Sequence, residues 1–379
     1  MNAPVSKEEN KKRLKEVARL FARLGFTAFG GPAVHIALME EEVVRKKNWI
    51  THQHFLDLMG ATNLIPGPNS TEMAMHIGQE RAGWRGLLVA GCCFILPAVL
   101  ITGIIAWAYA VYGQLPQVQP FLYGIKPAVI AVIAATMVFL GKKAVKNGTL
   151  AVIGLLSMVA ALAGLNEIAV LFAAGAVGIL LYLATKNQDR LSGFAPFVLL
   201  QVAVPAISAS KLFFIFLKIG SILYGSGYVL FAFLDAELVA PGFLTKQQLT
   251  DAIAVGQFTP GPVFSSATFI GWQLGGIEGA LAATAGIFLP SFFFVALLNP
   301  LIARLRQSRV MAAFLDAVNV ASIGLIFAIC FELGSAALAD WKTTVIALLS
   351  FFTVFFFRRL NTAFVILGGS LLGYLLWLI

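Results

Sequence analysis

Charge is scarce in this sequence. Of 379 residues only 12% are Asp, Glu, Lys or Arg, while 59% are Ala, Val, Ile, Leu, Met, Phe, Trp, Tyr or Cys. That is about half the charged fraction of an ordinary soluble domain, which excludes a soluble globule and any soluble DNA-binding or signalling role. Cysteine is scarcer still: Cys92, Cys93 and Cys330 lie in apolar runs and two are adjacent. That pattern makes neither a disulfide framework nor a spaced zinc site, so they read as small core residues. The 4 histidines are His35, His52, His54 and His76. His52-Gln53-His54, near Glu40, Glu41 and Glu42, lacks metal-specific spacing and reads as a solvated loop. No nucleophile stands with a base, so no enzyme, metal or cofactor is expected, and no G-x-x-x-x-G-K-[ST] loop is present for ATP-driven pumping. Residues 1 to 16 lack the apolar run of a secretory signal, and no cleaved leader is expected.

What is plentiful is apolar sequence. Crossing about 30 Å of hydrocarbon takes about 20 helical residues, so the chain has room for roughly ten spans. The excess of Lys+Arg 27 over Asp+Glu 18 then marks cytoplasmic loops rather than a nucleic-acid partner. Leu14, Val17, Ala18, Phe21 and Leu24 share a helical face interleaved with Lys15, Arg19 and Arg23. That stretch either lies on an anionic leaflet or leads, solvated, into the first buried helix.

The chain aligns with itself at an offset of 193 to 195 residues, the signature of an internal repeat. Phe21, Gly25, Gly30 and Val34 meet Phe216, Gly220, Gly225 and Val229; Thr51 and Asp57 meet Thr245 and Asp251; Pro66-Gly67-Pro68 meets Pro260-Gly261-Pro262. Further on, Ile77, Gly78, Gly83, Gly86, Leu96 and Pro97 meet Ile270, Gly271, Gly276, Gly279, Leu289 and Pro290, and Leu165-Asn166 meets Leu360-Asn361. The domain reading is a cytoplasmic basic lead-in at 1–20, a first repeat at 21–185, a linker with a crossing span at 186–215, and a second repeat at 216–379.

Loop charge orients the copies. In the first, the turn near 113–120 has no basic residue, the next carries Lys142, Lys143 and Lys146, and Gly164 to Asn166 is bare. In the second, the matching turns carry Arg304, Arg306 and Arg309, then Lys342 beside Asp340, then Arg358 and Arg359. The bias is opposite at each, which predicts an inverted-topology repeat as in many secondary transporters. A channel or scramblase could share it. The same rule makes the amino terminus, the loop Arg45-Lys46-Lys47 and the loop of Arg81 and Arg85 cytoplasmic. The segments between them, broken at Phe29-Gly30-Gly31-Pro32 and Pro66-Gly67-Pro68, are then re-entrant hairpins, with kinked full spans as the competing picture. The fold class is an all-α polytopic membrane protein of two inverted-topology repeats with broken or re-entrant helices near the bilayer midplane.

Irregular backbone at membrane depth survives only when buried in protein or lining a polar cavity. After Pro66-Gly67-Pro68, the residues Asn69-Ser70-Thr71-Glu72 read as a helix start with Asn69 as N-cap and Glu72 closing a capping box. Pro260-Gly261-Pro262 is followed by Ser265 and Ser266 at similar positions. Two helix starts meeting at the repeat axis would bind a small oxyanion through backbone amides and hydroxyls. With the first pair of breaks, Gly30 and Gly31 opposite Gly225 and Ser226, they form the expected substrate site.

Phe29-Gly30-Gly31-Pro32-Ala33-Val34-His35-Ile36, Ile65-Pro66-Gly67-Pro68, Ile77-Gly78, Arg81-Ala82-Gly83, Gly86 and Phe94-Ile95-Leu96-Pro97 resemble the chromate ion transporter (CHR) family over nearly the whole chain. The second copy repeats the pattern more loosely. Phe29-Gly30-Gly31-Pro32 becomes Tyr224-Gly225-Ser226-Gly227, so an asymmetric site is expected. The resemblance implies secondary active export of chromate across the bacterial plasma membrane, giving chromate resistance, with the amino terminus cytoplasmic. A sulfate or related oxyanion carrier is the first alternative. A lipid-phosphate scramblase or membrane enzyme is the second. Besides chromate or sulfate, the partners expected are membrane lipids and, on base rates alone, a second copy as homodimer.

Charges within spans are functional or paired. Glu72 either caps its helix or takes a proton when the oxyanion binds. His35 and His76 follow the two breaks and either bond anion oxygens or fill structural roles. Lys126, inside an apolar span, either lends charge to the cavity or pairs with a carboxylate. Arg81 is assigned to orientation. Glu332, Asp316, Asp235 and Glu237 are pairing or proton groups that sequence does not rank.

Overall fold

The computed structural model describes residues 7–113, 115–185, 208–224, 227–298, 308–357 and 360–378. Among the described residues there are fourteen α-helices. In the first copy they are α1 (Lys7–Thr27), α2 (Pro32–Glu40, continued by a π turn Glu41–Lys46), α3 (His52–Thr62), α4 (Asn69–Tyr112), α5 (Gln119–Ala144), α6 (Gly148–Leu162) and α7 (Glu167–Thr185). In the second they are α8 (Ala209–Ile222), α9 (Val229–Leu234, continued by a π turn Asp235–Val239), α10 (Lys246–Phe258), α11 (Ser266–Leu298), α12 (Arg309–Ala337), α13 (Trp341–Phe356) and α14 (Thr362–Trp377). The protein is a multi-pass helical membrane protein, and among the described residues five helical segments are long and apolar enough to cross.

Matched residues do matched work in the two copies. Thr51 caps α3 and Thr245 caps α10. Asn166 and Asn361 accept the Ala169 and Ala363 amides at 3.1 and 3.0 Å. Such side-chain acceptors satisfy first-turn donors that have no partner within the helix.

At 44 residues α4 would be about 66 Å long if straight, twice the apolar thickness. It is instead broken at Ala82 and Gly83 (φ 65°, ψ −158°), and α11 breaks identically at Gly275 and Gly276 (φ 58°, ψ −147°). Only glycine adopts that second conformation readily. The arms then fold back on each other: a Cβ on Gly78 would lie 2.3 Å from the Gly86 carbonyl oxygen, and one on Gly271 would lie 2.3 Å from that of Gly279. The long arm of α4 exposes Trp84, Leu88, Leu96, Leu100, Ile104 and Trp107. Trp84 and Trp107 are about 35 Å apart at the standard rise, which suits aromatic anchors at two membrane interfaces. Cys93 and Cys330 are partly buried and pack against the core, whereas Cys92 is exposed on this stretch, so for Cys92 the expectation of a core residue is corrected: the exposed face of a span meets lipid, which accepts a thiol as readily as a core does.

The two broken segments of copy one are hairpins. His54, at the start of α3, meets Glu80, at the end of α4's short arm, at 3.4 Å, while Asn63 and Asn69 bond at 2.8 Å beside the tip. Both ends therefore lie on one face. Likewise the chain returns after the first break, where Arg23 of α1 pairs with Glu42 of the π turn after α2 at 2.6 Å; Lys218 and Glu237 repeat that pair at 2.7 Å in copy two. Val17, Leu20, Phe21 and Leu24 are buried, so the apolar face of α1 packs on protein rather than on a leaflet.

Contacts between copies establish the inversion. Lys146, just after α5, pairs with Asp316, near the start of α12, at 2.7 Å. Tyr123, near the start of α5, bonds Asp340, just after α12. Since α5 and α12 are counterparts, copies of the same sense would place start beside start. Here each start lies beside the other's end. Arg304, Arg306, Arg358, Arg359 and residues 194–207 of the predicted crossing near 194–210 lie outside the described residues, and its last residues begin α8.

Candidate functional site

The four breaks meet in one layer through a reciprocal pair of backbone hydrogen bonds. The Gly67 amide donates to the Leu223 carbonyl and the Gly261 amide to the Ala28 carbonyl, both at 2.8 Å. Ala28 and Leu223 occupy the same position after α1 and α8. Each Pro-Gly-Pro tip is thus held by the first hairpin of the other copy. These two glycine amides are engaged, so an anion here would use other donors of the layer.

Gly67 (φ 137°) is required twice over. A Cβ there would lie 2.2 Å from Glu72 Oε1 and 2.6 Å from Ser291 Oγ. At Gly261 (φ 85°) the nearest atom would be Ala98 Cβ at 2.9 Å. Ala98 and Ser291 are counterparts directly after Pro97 and Pro290. The site is therefore symmetric in backbone and asymmetric in chemistry.

Polar side chains come mostly from copy one. His35 Nε2 lies 3.1 Å from the Ala28 carbonyl and so carries the proton, which lets Nδ1, 3.3 Å from Ser70 Oγ, accept from that hydroxyl. Ala28, Ser70, His35 and Gly261 are thereby joined. Glu72 is wholly buried; Ser291 donates to its Oε1 at 3.3 Å, and its Oε2 has no partner. Thr71 Oγ1 and both ring nitrogens of His76 are also buried without partners. The matching positions in copy two, Leu230 for His35, Phe264 for Ser70 and Phe269 for His76, are apolar and buried. Ser265 accepts from Thr102 at 3.1 Å, and Ser266 donates to the Val263 carbonyl within its own turn.

One local expectation is corrected. Asn69 is the first helical residue, with Pro68 at the cap position and no side-chain cap bond. The Pro68 carbonyl already accepts the Thr71 and Glu72 amides at 2.7 and 3.1 Å, so the first turn closes on backbone. Asn69 is left to bond Asn63 and Glu72 to meet Ser291. The capping box does not form.

Gly30 and Gly31 have φ of 103° and 81°, and the Gly31 carbonyl accepts the Val34 and His35 amides. Pro66 and Pro68 flank the tip. Gly225 and Ser226 lie outside the described residues. Lys126 is not in this layer: it pairs with Asp251 at 3.3 Å, and Tyr109 donates to the same carboxylate at 2.6 Å. Asp251 precedes the end of α10 by about 10 Å of helix. Lys126 also borders a cavity of about 200 Å³ with Gln119, Tyr123, Thr343 and Trp377. At the other surface Arg81 pairs with Glu16 at 2.7 Å and stacks over Trp49. Lys246 and Glu332 form a further pair, and Asp235 Oδ1 is buried without a partner. Sequence reasoning missed Ser291 and the buried Gln257, whose side chain donates to Tyr228. The signal for Ser291 was the Ala98-to-Ser291 change after the repeated Leu-Pro.

Residues 15–179 and 210–374 match the model of the chromate transporter family. The chain is 31% identical over 375 residues to the chromate transport protein of Cupriavidus metallidurans, covering 95% of this chain and 92% of that one. It is 28% identical over 378 residues to a probable chromate transport protein of Synechococcus elongatus, with 96% of each covered. Against the chromate transport protein of Pseudomonas aeruginosa the identity is 29%, with 94% and 91% covered. No solved structure matches the chain.

Proposed function

This chain belongs to the chromate transporter family, and from that premise we propose that it exports chromate across a bacterial plasma membrane by secondary active transport and thereby gives chromate resistance. The observation that carries this reading is the layer of interlocked tips, where Gly67 bonds Leu223 and Glu72 meets Ser291 of the opposite copy, with the hydroxyls of Ser70 and Thr71 on the same turn of α4. A helix start and hydroxyl donors suit a tetrahedral oxyanion. Gly30, Gly31, His35, Pro66, Gly67, Pro68, Asn69, Ser70 and Thr71 from copy one, with Gly225, Ser226, Gly261, Ser265 and Ser266 from copy two, form the proposed site. The tip bonds hold one state, and an anion bound by the other donors of the layer would favour a second, which together are the two states that alternating access needs.

The proposed orientation puts the amino terminus and the face of Arg81 and Lys146 in the cytoplasm. An inside-negative membrane drives anions outward by about 2.3 kcal/mol per charge per 100 mV, twice over for a dianion. Sulfate shares the charge and shape and is the second reading. The test is uptake of labelled chromate into proteoliposomes with and without trapped sulfate. Saturable flux that is lost when the Pro66-Gly67-Pro68 tip is altered in folded protein is the expected result; absence of flux under any gradient rejects the reading.

A further inference from the structure

Glu72, His76 and Gln79 stand at i, i+4 and i+7 on the short arm of α4, and so share one helical face. Glu72 Oε2, both nitrogens of His76 and Gln79 Oε1 are all buried and without partners. Elsewhere this arm is core, with Met73, Met75 and Ile77 buried. Polar groups are kept in such a place when water reaches them or when a proton changes their pairing. At its inner end the stripe touches Ser291 of the opposite copy, in the tip layer. At its outer end, about 10 Å along the helix, come Glu80 beside His54 and Arg81 beside Glu16. In copy two the same positions are Ser266, Phe269 and Trp272, so the stripe exists in one half only.

We propose that Glu72, His76 and Gln79 form a one-sided proton path, which carries a proton from the Glu80 face to Glu72 at the repeat interface. This rests on the transport reading and names its coupling ion. A bare carboxylate in the tip layer repels a dianion, and an O–H bond formed on Glu72 Oε2 removes that repulsion. The proton comes from a water bridged to His76, whose ring accepts at one nitrogen while donating at the other. Water entering past Gln79 replaces it. Proton and anion then leave together.

Few other titratable groups face the stripe. Tyr224, after α8, lies within electrostatic reach of Glu72; α11 offers Ser291; α3 offers His54 at Glu80; α1 offers Glu16 at Arg81; and His35 of α2 meets Ser70 on a neighbouring face. Among the described residues no group of three or more His, Cys, Asp or Glu could hold a metal ion.

The test uses proteoliposomes containing a trapped pH dye, with labelled chromate and sulfate read for counterflow in parallel. Wild-type protein is expected to move protons when an anion gradient is imposed in choline buffer. In Glu72→Gln that proton movement falls to the level of empty liposomes. His76→Phe, which installs the copy-two residue, slows it about tenfold with counterflow within twofold of wild type, and His76→Gln recovers part of the rate. Each variant is compared as monodisperse protein. Counterflow without proton movement in wild type, unchanged proton movement in Glu72→Gln, or flux that needs sodium and ignores pH overturns the path and leaves the transporter reading standing. Absence of counterflow with either anion overturns both.

Discussion

The Gly67 amide donates to the Leu223 carbonyl at 2.8 Å, and its symmetry mate joins Gly261 to Ala28 at the same distance. Two inverted copies therefore hold each other at their tips by backbone alone. Side chains are free to differ there without loosening the joint.

Gly67→Ala puts a Cβ within 2.2 Å of Glu72 Oε1 at a φ of 137°. Strain of this kind costs about 1–3 kcal/mol before any clash is counted. The variant is expected to lose transport and melt at lower temperature in detergent than Gly261→Ala, whose nearest contact is 2.9 Å. Equal melting temperatures for the two would contradict the packing described.

Lys146 and Asp316 are 2.7 Å apart only because the copies are inverted. With Cys92, Cys93 and Cys330 replaced by Ala, cysteines introduced at 146 and 316 should cross-link in membranes. Both should react with an impermeant maleimide from one side, and a cysteine at Asp340 from the other. Labelling of 146 and 316 from opposite sides would reject the inversion.

Lys126→Met leaves the Asp251 carboxylate, 4% exposed, without its cation. Breaking a buried pair typically costs about 3–5 kcal/mol, whereas replacing both partners with apolar residues can be neutral. Lys126→Met should therefore melt early and Lys126→Met with Asp251→Leu should recover most of the loss. A single variant that keeps its stability but raises KM would assign the lysine to substrate instead.

The hydrogen bond from Arg81 holds the Glu16 carboxyl below its ordinary value of 4.5. A depressed folded value means that the pair stabilises fully above about pH 4.5 and loses its contribution as pH falls through the lower folded value. Both side chains are partly exposed, so the effect is less than about 1 kcal/mol. Arg81→Gln should flatten the acid side of the melting-temperature profile and leave neutral-pH transport within about twofold. An unchanged acid slope would show that the bond contributes nothing.

Much of the architecture was legible because it rests on short-range rules. Gly83 and Gly276 recur in the repeat and are where the long helices turn. Thr51 and Thr245, Asn166 and Asn361 recur and are caps. Asn69 misled because a Ser/Thr/Asn-x-x-Glu pattern describes side chains, whereas Pro68 had closed the turn with its carbonyl. Ser291 was invisible as a partner of Glu72, 219 residues away.

By itself the sequence determined that the chain lives in a membrane, that it is one unit written twice, and where its helices break, since apolar length, residue matching and Gly or Pro conformational limits are local properties. Only the tertiary structure decided that Lys126 belongs to Asp251, that the tip glycines bond across the copies, and that Glu72 Oε2 and both ring nitrogens of His76 stand buried without partners. Those facts depend on which distant backbones approach within a few ångströms, and that follows from packing two inverted copies together.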